Sequence, residues 1–373
     1  MKSYLYIIFS IFFLIVINSC EKETISNKKT NKQTIKYAKG FEIIDSETHS
    51  ALIIKGANSK KDKTYIFVKP FKKYADLSGK SFFKSIDKIV VTSTTHIPML
   101  ELLNEENSLV GFPNTKYISS KKTRSLIDNG QVKELGKEQS INTEILLELQ
   151  PELVVGFSLG TNSKMYANIE KAGIPVIINN DWLEKTPLGR AEWIKFFGVI
   201  YGKEKQADSI FNVIEKEYLN VKKIALQAKT KPKILSGAMY NNAWNLPAGQ
   251  SYGAQFLKDA NVNYPWQESK GNGSLSLSFE SVLIKAKDAD LWISPSFFST
   301  YNQLKDASEH YMEFDAFKNK HIYNYMNRKG ETGGILYYEL APIQPHIVLK
   351  DLIKIAHPEL LENYKPFYLE ELN

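Results

Sequence analysis

A helix–strand unit that occurs twice is the sequence feature that most restricts how this chain can fold. Residues 140–155 begin with Ser-Ile-Asn-Thr-Glu, continue as the apolar helix face Ile-Leu-Leu, turn at Pro151 and end in the strand pattern Leu-Val-Val. Residues 276–293 repeat this order of polar cap, acid, apolar face and strand, and Glu280 takes the position of Glu144. Units this far apart predict two similar lobes rather than a solenoid, whose repeats recur every ~20 to 50 residues.

The alternation of strands and helices predicts the class of each lobe. Buried-strand patterns, such as those at 86–91 and 176–178, alternate with amphipathic helical patterns. Such alternation is typical of a parallel sheet with helices on its faces. Short β-rich runs at 41–44, 51–54 and 64–68 predict a small antiparallel sheet at the start. With 373 residues, of which 43% are hydrophobic, the chain suits two α/β domains of ~100 to 200 residues each.

One long helix is predicted between the lobes, over residues 203–228. At 1.5 Å rise per residue it would span about 39 Å, enough to cross from one lobe to the other. The predicted organisation is an N-terminal lobe over 41–202, this helix, and a C-terminal lobe over 229–373. We interpret its apolar stripe as a packing surface, formed by Ala207, Ile210, Phe211, Ile214, Tyr218, Val221 and Ala225.

The N-terminus predicts export and a lipid anchor. An apolar run over 4–17 follows Lys2; it is short for a membrane span of ~20 residues but suits a signal peptide, which we assign to residues 1–19. It ends at Cys20, the only cysteine of the chain. The segment resembles a bacterial lipobox, which implies lipidation of Cys20. An uncleaved anchor helix or an ordinary buried cysteine fits less well, because the helix would be short and the cysteine is poorly placed for a core.

The positive charge of the chain does not indicate a nucleic-acid partner. The formal net charge is +7, but residues 20–40 alone hold six lysines against two glutamates. We interpret this polar stretch as a solvated tether. Basic charge in a polar tail is weak evidence for a nucleic-acid surface, so we predict no nucleic-acid binding.

No sequence motif indicates a particular catalytic chemistry. The chain has no phosphate loop, no Gly-x-Ser-x-Gly elbow and no His-Glu-x-x-His motif. Its histidines lack close metal-ligand spacing, although His96, His310 and His321 leave a three-ligand site open. A lipid-anchored hydrolase also stays open, because a catalytic triad is defined in space and not in sequence. We predict no catalytic residue, no resident metal and no cofactor.

Large aromatic and basic residues in polar loops are the candidates for ligand contacts. Trp182 and Trp244 lie in asparagine-rich loops, where an uncovered ring is unfavourable. Trp292 lies within a strand pattern and is predicted to be core. Arg124 and Arg328 are predicted to lie in polar loops and are candidates to hold an anion by charge-assisted hydrogen bonds, or to be ordinary solvated residues.

The repeated acid has both a structural and a functional interpretation. Asn142 and Ser278 are good N-caps, and an acid in the first turn interacts favourably with the helix dipole, by ~0.3 to 1 kcal/mol. This explains why a glutamate is favourable in the first turn, but it does not explain why an exposed glutamate occupies the same position in both lobes. The residues alone leave the two interpretations equally open.

The order of these motifs resembles the substrate-binding proteins of ABC importers of the iron-siderophore and cobalamin class. The likeness extends from Phe41 to the C-terminus and is nearest to a lipoprotein branch of Bacteroidota-type bacteria. One departure is Gln344-Pro345-His346, where the family has an acid after the proline, and this puts the local helix cap in doubt. The best matches lie at 86–111, 140–155, 231–293 and 314–361.

This resemblance implies two Rossmann-like α/β lobes joined by a single long helix, the class III form of periplasmic binding protein. It implies a monomer, not an enzyme, lipid-anchored on the periplasmic face of a membrane. Such a protein would capture a small-molecule metal chelate, a ferric siderophore first and cobalamin or haem as alternatives. It would deliver this ligand to an ABC permease with its ATPase subunits.

The resemblance also implies roles for single residues. Glu144 and Glu280 match the exposed acids that dock onto arginines of the permease. Ligand contacts are assigned by position to Thr94, Thr95, His96, Trp182, Tyr240, Trp244 and Arg328.

Overall fold

The computed structural model describes residues 31–33, 35–56, 61–69, 80–82, 86–157 and 163–373. The predicted signal peptide and Cys20 lie outside these residues. Over the described part of the chain, no helix is both long enough and apolar enough to span a bilayer.

A small sheet opens the chain, as predicted from its β-rich runs. Strands β1 to β4 pair antiparallel in sequence order, and β5 adds parallel to β4. The alternating apolar residues of β2 and β3 give this sheet its buried face. The strands are β1 (Asn31–Gln33), β2 (Phe41–Asp45), β3 (His49–Ile54), β4 (Lys63–Val68) and β5 (Lys80–Phe82).

The N-terminal lobe is built on a parallel sheet of order β12-β11-β6-β7-β8. The chain runs outward from β6 to β8 and then returns to the other side at β11, so strand order reverses between β6 and β11. In such sheets the crevice beyond the carboxyl ends at the reversal is where ligands bind. The strands are β6 (Ile89–Val91), β7 (Leu109–Phe112), β8 (Lys133–Glu134), the hairpin β9 (Gly136–Lys137) and β10 (Ser140–Ile141), β11 (Leu153–Phe157) and β12 (Val176–Asn179).

The described residues of this lobe form six α-helices. The helical pattern of residues 187–200 predicts one helix, but the structure divides it into α5 and α6. Around Trp193 the backbone N–H groups bond three residues back instead of four, to Arg190 and Glu192, which tightens the turn and breaks the helix. The helices are α1 (Ile97–Leu102), α2 (Lys121–Asp128), α3 (Thr143–Leu149), α4 (Ser163–Lys171), α5 (Pro187–Ala191) and α6 (Ile194–Ile200).

Helix α7 (Glu204–Ala225) connects the lobes, somewhat shorter than the predicted 203–228. Its 22 residues span about 33 Å. The predicted stripe is buried except for Ile210, which is half-buried. Gly198 of α6 lets this helix approach closely, since a Cβ there would lie 2.6 Å from the Ala207 Cβ.

The C-terminal lobe holds a second sheet of order β13-β17-β18-β19, parallel except for β19. A separate antiparallel sheet is formed by β14, β15 and β16. The strands are β13 (Ile234–Ser236), β14 (Ala238–Tyr240), β15 (Ala243–Pro247), β16 (Ser274–Leu277), β17 (Leu291–Ile293), β18 (Ile322–Asn324) and β19 (Glu370–Glu371). The helices are α8 (Tyr252–Asp259), α9 (Phe279–Ala286), α10 (Tyr301–Ala307), α11 (Asp315–Lys318), α12 (Leu336–Leu340) and α13 (Pro345–Ala356).

The repeated unit folds as α3–β11 and α9–β17, one copy in each lobe. The Asn142 side chain accepts from the backbone N–H groups of Glu144 and Ile145, and Ser278 accepts from that of Ser281. Both predicted N-caps are therefore confirmed. Gln344 makes no side-chain cap on α13, in agreement with the departure noted there.

The prediction of a solvated tether over 20–40 is wrong for its last residues. The Glu192 carboxylate accepts from the backbone N–H groups of residues 36, 37 and 38 at 2.7 to 2.9 Å. Glu184 accepts from those of residues 39 and 40. Since both carboxylates are buried, they satisfy a backbone that pairs with no strand there. Polar composition alone did not indicate this docking.

Replacing Glu192 by alanine should lower the free energy of unfolding by about 3 to 5 kcal/mol, because it removes the acceptor of three backbone N–H groups and one of the two carboxylates that pair with the buried Lys195 ammonium. Urea denaturation measures this change, and limited proteolysis should show faster cleavage near residues 31–40. The exposed Glu148→Ala is the control, expected within about 0.5 kcal/mol of the parent. Equal stability of the two variants would contradict the assigned role of Glu192.

Candidate ligand site between the lobes

The turn that follows β6 lies at the strand-order reversal of the N-terminal sheet. Thr94 to His96 form a single 3-10 turn, capped by the Ser93 side chain. The Thr95 hydroxyl donates to Asp181 Oδ2 at 3.1 Å and so joins this turn to the loop after β12. Thr94 and Thr95 are half-buried at this edge, in a place suited to their predicted ligand contact, which stays a prediction.

Asp181 is a buried acid in this crevice. Burial raises the pKa of its carboxyl to about 6, against the lowering effects of Arg190 and the Thr95 hydroxyl. Its backbone N–H donates to Asn179 Oδ1, which holds the loop in place. Its Oδ1 atom has no hydrogen-bond partner within the described residues.

Arg190 and Tyr252 bring the two lobes into contact beside Asp181. The Arg190 guanidinium, on α5, lies 3.7 Å from the centre of the Tyr252 ring, on α8 of the other lobe. Arg190 Nη2 also donates to the Trp182 carbonyl oxygen at 3.0 Å. Among described residues, Trp182 Nε1, Arg190 Nε and the Tyr252 hydroxyl are buried without a hydrogen-bond partner. Buried polar atoms are rarely left in this state, so these groups are candidates to bind a polar ligand.

Tyrosines form the C-terminal side of the crevice. Tyr325, which follows β18, stacks on Tyr337 with ring centroids 4.0 Å apart, and its hydroxyl lies 3.5 Å from that of Tyr338. Behind them is a cavity of about 160 Å³, lined by Ser236, Ile293 and Ser294 at the carboxyl ends of β13 and β17. The strand ends of this sheet therefore meet aromatic and hydroxyl groups.

Large apolar side chains are exposed on segments that come after the carboxyl ends of parallel strands in both lobes. Tyr117, Leu183 and Phe297 come after β7, β12 and β17. Tyr240 is the last residue of β14, and Tyr338 lies in α12. They provide an apolar rim to a crevice whose floor is polar. These residues are Tyr117, Leu183, Tyr240, Phe297 and Tyr338, between 37% and 69% exposed.

A second lobe-to-lobe contact involves Glu339 of α12. Its carboxylate accepts from the backbone N–H groups of Ser119 and Ser120, at the start of α2 in the N-terminal lobe, at 2.6 and 2.9 Å. A side chain at Gly334 would overlap the Tyr117 carbonyl oxygen, so close approach of the two segments requires glycine there. Burial raises the pKa of the Glu339 carboxyl to about 7.

Two of the predicted ligand contacts are core residues. Trp244 has no exposed surface; its ring stacks on Trp292 with centroids 5.4 Å apart, and its Nε1 donates to the Ser236 carbonyl oxygen. The aromatic cluster, not a ligand, covers the ring. His96 is also fully buried and packs on Phe197, and burial lowers its pKa to about 3. The predicted ligand contact of Trp244 is therefore wrong. For His96 the contact stays a prediction, because neither ring nitrogen has a hydrogen-bond partner within the described residues. Trp292 is core, as predicted.

Both candidate arginines have protein partners. Arg328 Nε lies 2.7 Å from Glu370 Oε1 of β19. Arg124 lies within α2, not in a loop, and contacts Asp128 and the Thr115 carbonyl oxygen. Of the remaining predicted contacts, Trp182 is half-buried beside Arg190, and Tyr240 is 67% exposed at the rim.

The histidines do not converge on a metal site. His310 lies 3.2 Å from Glu313, and His321 lies 3.3 Å from the Asp290 carbonyl oxygen, while His96 is buried in the other lobe. No group of three histidine, cysteine, aspartate or glutamate side chains within the described residues could hold a metal ion.

A larger groove of about 860 Å³ lies elsewhere, along α7 between α1 and α13. Its lining is mainly apolar and includes Leu102, Val213 and Phe367. No strand end reaches it, so we place the ligand site at the crevice despite the greater volume of this groove.

The candidate site residues that sequence patterns missed are Asp181, Arg190 and Tyr252. Asp181 precedes the candidate Trp182, but a single acid in a loop carries no signal of burial. Arg190 belongs to an amphipathic helix pattern, where a basic residue is ordinarily solvated. Tyr252 lies between Gly249 and Gly253, a pattern typical of a loop without a specific function.

The two predicted docking acids are both exposed in the first turn of their helices. The pKa of the Glu280 carboxyl is held below its usual range by its own backbone N–H and the Ser278 hydroxyl. Each lobe thus presents one acid at the same place in the repeated unit.

Two α/β lobes bridged by one long helix, with a crevice at the strand ends, define a class III periplasmic binding protein. The sequence profile of the periplasmic binding protein family matches residues 89–328. The chain therefore belongs to this family, whose members are substrate-binding transport proteins and not enzymes.

Individual proteins similar to this chain include a relative and two solved structures. An uncharacterised lipoprotein of Methanocaldococcus jannaschii is 26% identical over 394 residues, covering 96% of this chain and 90% of the relative. A possible iron-binding, periplasmic solute-binding protein of Staphylococcus epidermidis has a TM-score of 0.58 at 16% identity and covers 74% of this chain and 100% of its own. A periplasmic haem-binding protein of Pseudomonas aeruginosa has a TM-score of 0.57 at 16% identity, with 77% and 98% covered. At this identity the two structures show the fold alone.

Glu339 should make stability fall as the pH rises from about 4.5 to about 7. The folded-state pKa of about 7 lies above the ordinary value of 4.5, so in this window the folded protein binds a proton that the unfolded chain has lost. The contribution is fully present below pH 4.5 and is lost near pH 7, with a size of about 3 kcal/mol.

Urea denaturation of Glu339→Gln between pH 4.5 and 7.5 measures this effect. The variant should lose a large part of the downward slope, because its side chain does not titrate. The exposed Glu362→Gln serves as control and should keep the slope of the parent. Identical slopes in all three proteins would show that Glu339 titrates normally.

Proposed function

We propose that this protein is the substrate-binding component of an ABC importer that captures an organic metal chelate between its lobes. A ferric siderophore is the first candidate, and haem or cobalamin is the alternative. The role of a substrate-binding protein follows from family membership. The identity of the ligand as an organic metal chelate is our proposal.

The observation that carries this proposal is the apolar rim on both lobes around a polar floor. A bare ion would need a close group of carboxylate, imidazole or thiolate ligands, which the described residues do not supply. An organic chelate instead offers rings and alkyl groups to Tyr117, Tyr240 and Phe297, and oxygen atoms to the Arg190 guanidinium. A rim of this kind on each lobe suits a ligand large enough to touch both.

The nature of two similar proteins supports the same ligand class. The structure from Staphylococcus epidermidis is described as that of a possible iron-binding protein, and the one from Pseudomonas aeruginosa as that of a haem-binding protein. These descriptions add support to iron and haem, which the family resemblance already implies as ligands.

Delivery to the membrane would use the two exposed acids. Glu144 and Glu280 occupy equivalent places on separate lobes, so a permease that binds both through cations would sense the spacing of the lobes. Charge pairs at protein interfaces can contribute several kcal/mol. A lipid on Cys20 would keep the protein near its permease, in line with the lipoprotein character of the relative.

Arg190→Ala should weaken binding of an anionic ferric chelate at least tenfold, because it removes the cation of the polar floor and leaves Asp181 without its neighbouring charge. Intrinsic fluorescence titration with ferric catecholate, ferric hydroxamate, haem and cobalamin measures the affinities, with Trp182 as the reporter beside the site. Arg124→Ala is the matched control and should bind as the parent does. A parent protein that responds to none of the four ligands would overturn the chelate proposal.

The double variant Glu144→Ala and Glu280→Ala should bind the chelate with unchanged affinity but support at least tenfold slower uptake. Uptake of radioactive iron chelate is measured in a host strain that lacks the native protein and carries each variant. Glu47→Ala with Glu362→Ala, exposed acids outside the repeated unit, is the control pair. Undiminished uptake by the first double variant would exclude docking through these two acids.

A further inference from the structure

Each acid of the repeated unit has an exposed aliphatic neighbour one helical turn further along. In the N-terminal lobe Leu147 is 47% exposed, and in the C-terminal lobe Ile284 is 87% exposed. They follow Glu144 and Glu280 by three and four residues, spacings that put side chains on one helix face with Cβ atoms about 5–6 Å apart. Helical side chains lean toward the helix N-terminus, so both aliphatic groups lean toward their acid.

These two side chains contribute little to the core of their own lobe. On α3 the buried residue is Leu146, and on α9 the buried residues are Val282 and Ala286. The helices therefore pack through another face, and the faces of Leu147 and Ile284 point away from it. Single exposed apolar residues are common on protein surfaces. The same pairing with an acid in both lobes is what distinguishes these two.

We propose that Leu147 and Ile284 form the apolar part of the surface that docks on the ABC permease. This inference rests on the proposed function and adds a contact to it. The partner surface that fits would present, twice, a basic side chain next to a small apolar hollow. An aliphatic contact beside each ion pair would exclude water from it and strengthen the attraction.

The charge of this surface, as well as its shape, indicates what kind of partner binds there. The pKa of the Glu280 carboxyl is held below its usual range by its own backbone N–H and the Ser278 hydroxyl, and both acids are exposed, so a cationic group or a strong donor would complement them. A lipid surface would not suit these positions, because acids next to the contact are repelled by anionic headgroups. A protein with basic residues meets both requirements.

The test compares two pairs of exposed aliphatic residues. Leu147→Ala with Ile284→Ala should weaken binding to the permease–ATPase complex, held in lipid nanodiscs, by about tenfold. The permease–ATPase complex for this experiment is identified as the one that restores chelate uptake in the host when it is expressed together with this protein. Val213→Ala with Leu226→Ala, also exposed at 61% and 66% on α7 and its C-terminal end, is the control and should bind as the parent does. Leu147→Met with Ile284→Leu should retain most of the affinity.

The outcomes separate this inference from the proposed function. If the double glutamate variant binds the permease weakly and the Leu147–Ile284 alanine pair binds normally, the apolar contact is wrong while acid docking stands. If both pairs bind normally, docking through this face is wrong. Chelate titration of every variant checks that the ligand site is intact. If the parent protein does not bind the permease complex, the proposed function and this inference fall together.

Discussion

The apolar stripe of helix α7 is the packing constraint on which both lobes depend. Near the start of the helix Phe211 packs on Tyr37, with ring centroids 6.0 Å apart. Seven residues later Tyr218 packs on Phe256 at 6.3 Å and donates to Asp259 Oδ2 at 2.7 Å. One helix thus packs on residues of both lobes within one continuous apolar core, so each lobe is held by the same rigid element. The crevice between the sheets follows from this arrangement.

Contact between the lobes is closely tied to the neutralisation of buried charge. Asp181, Arg190 and Glu339 are each costly to remove from water unless they gain partners. Glu339 finds its donors in the opposite lobe, and Arg190 lies over a ring of the opposite lobe. Movement of the lobes would return these groups to water or to a ligand. The same residues therefore serve as closing contacts and as candidate ligand groups.

Local patterns in the sequence were sufficient for much of the fold. The caps at Asn142 and Ser278, the stripe of α7 and the strands around them depend on spacing and on neighbouring residues, which a sequence displays directly. The docked segment at 36–40 could not be foreseen, because its acceptors lie on Glu184 and Glu192, far along the chain. The predicted ligand contact of Trp244 was wrong for the same reason, because its polar neighbours in sequence are not its neighbours in space.

The sequence by itself determined the repeated unit, its two acids and the class of fold, because these depend on helical and strand periods and on local capping. Only the tertiary structure decided which side chains meet in the crevice. Asp181, Arg190 and Tyr252 come from a loop, a helix and the opposite lobe, and their approach depends on packing between distant segments. It also decided that Leu147 and Ile284 remain exposed, since burial depends on which helix face each lobe covers.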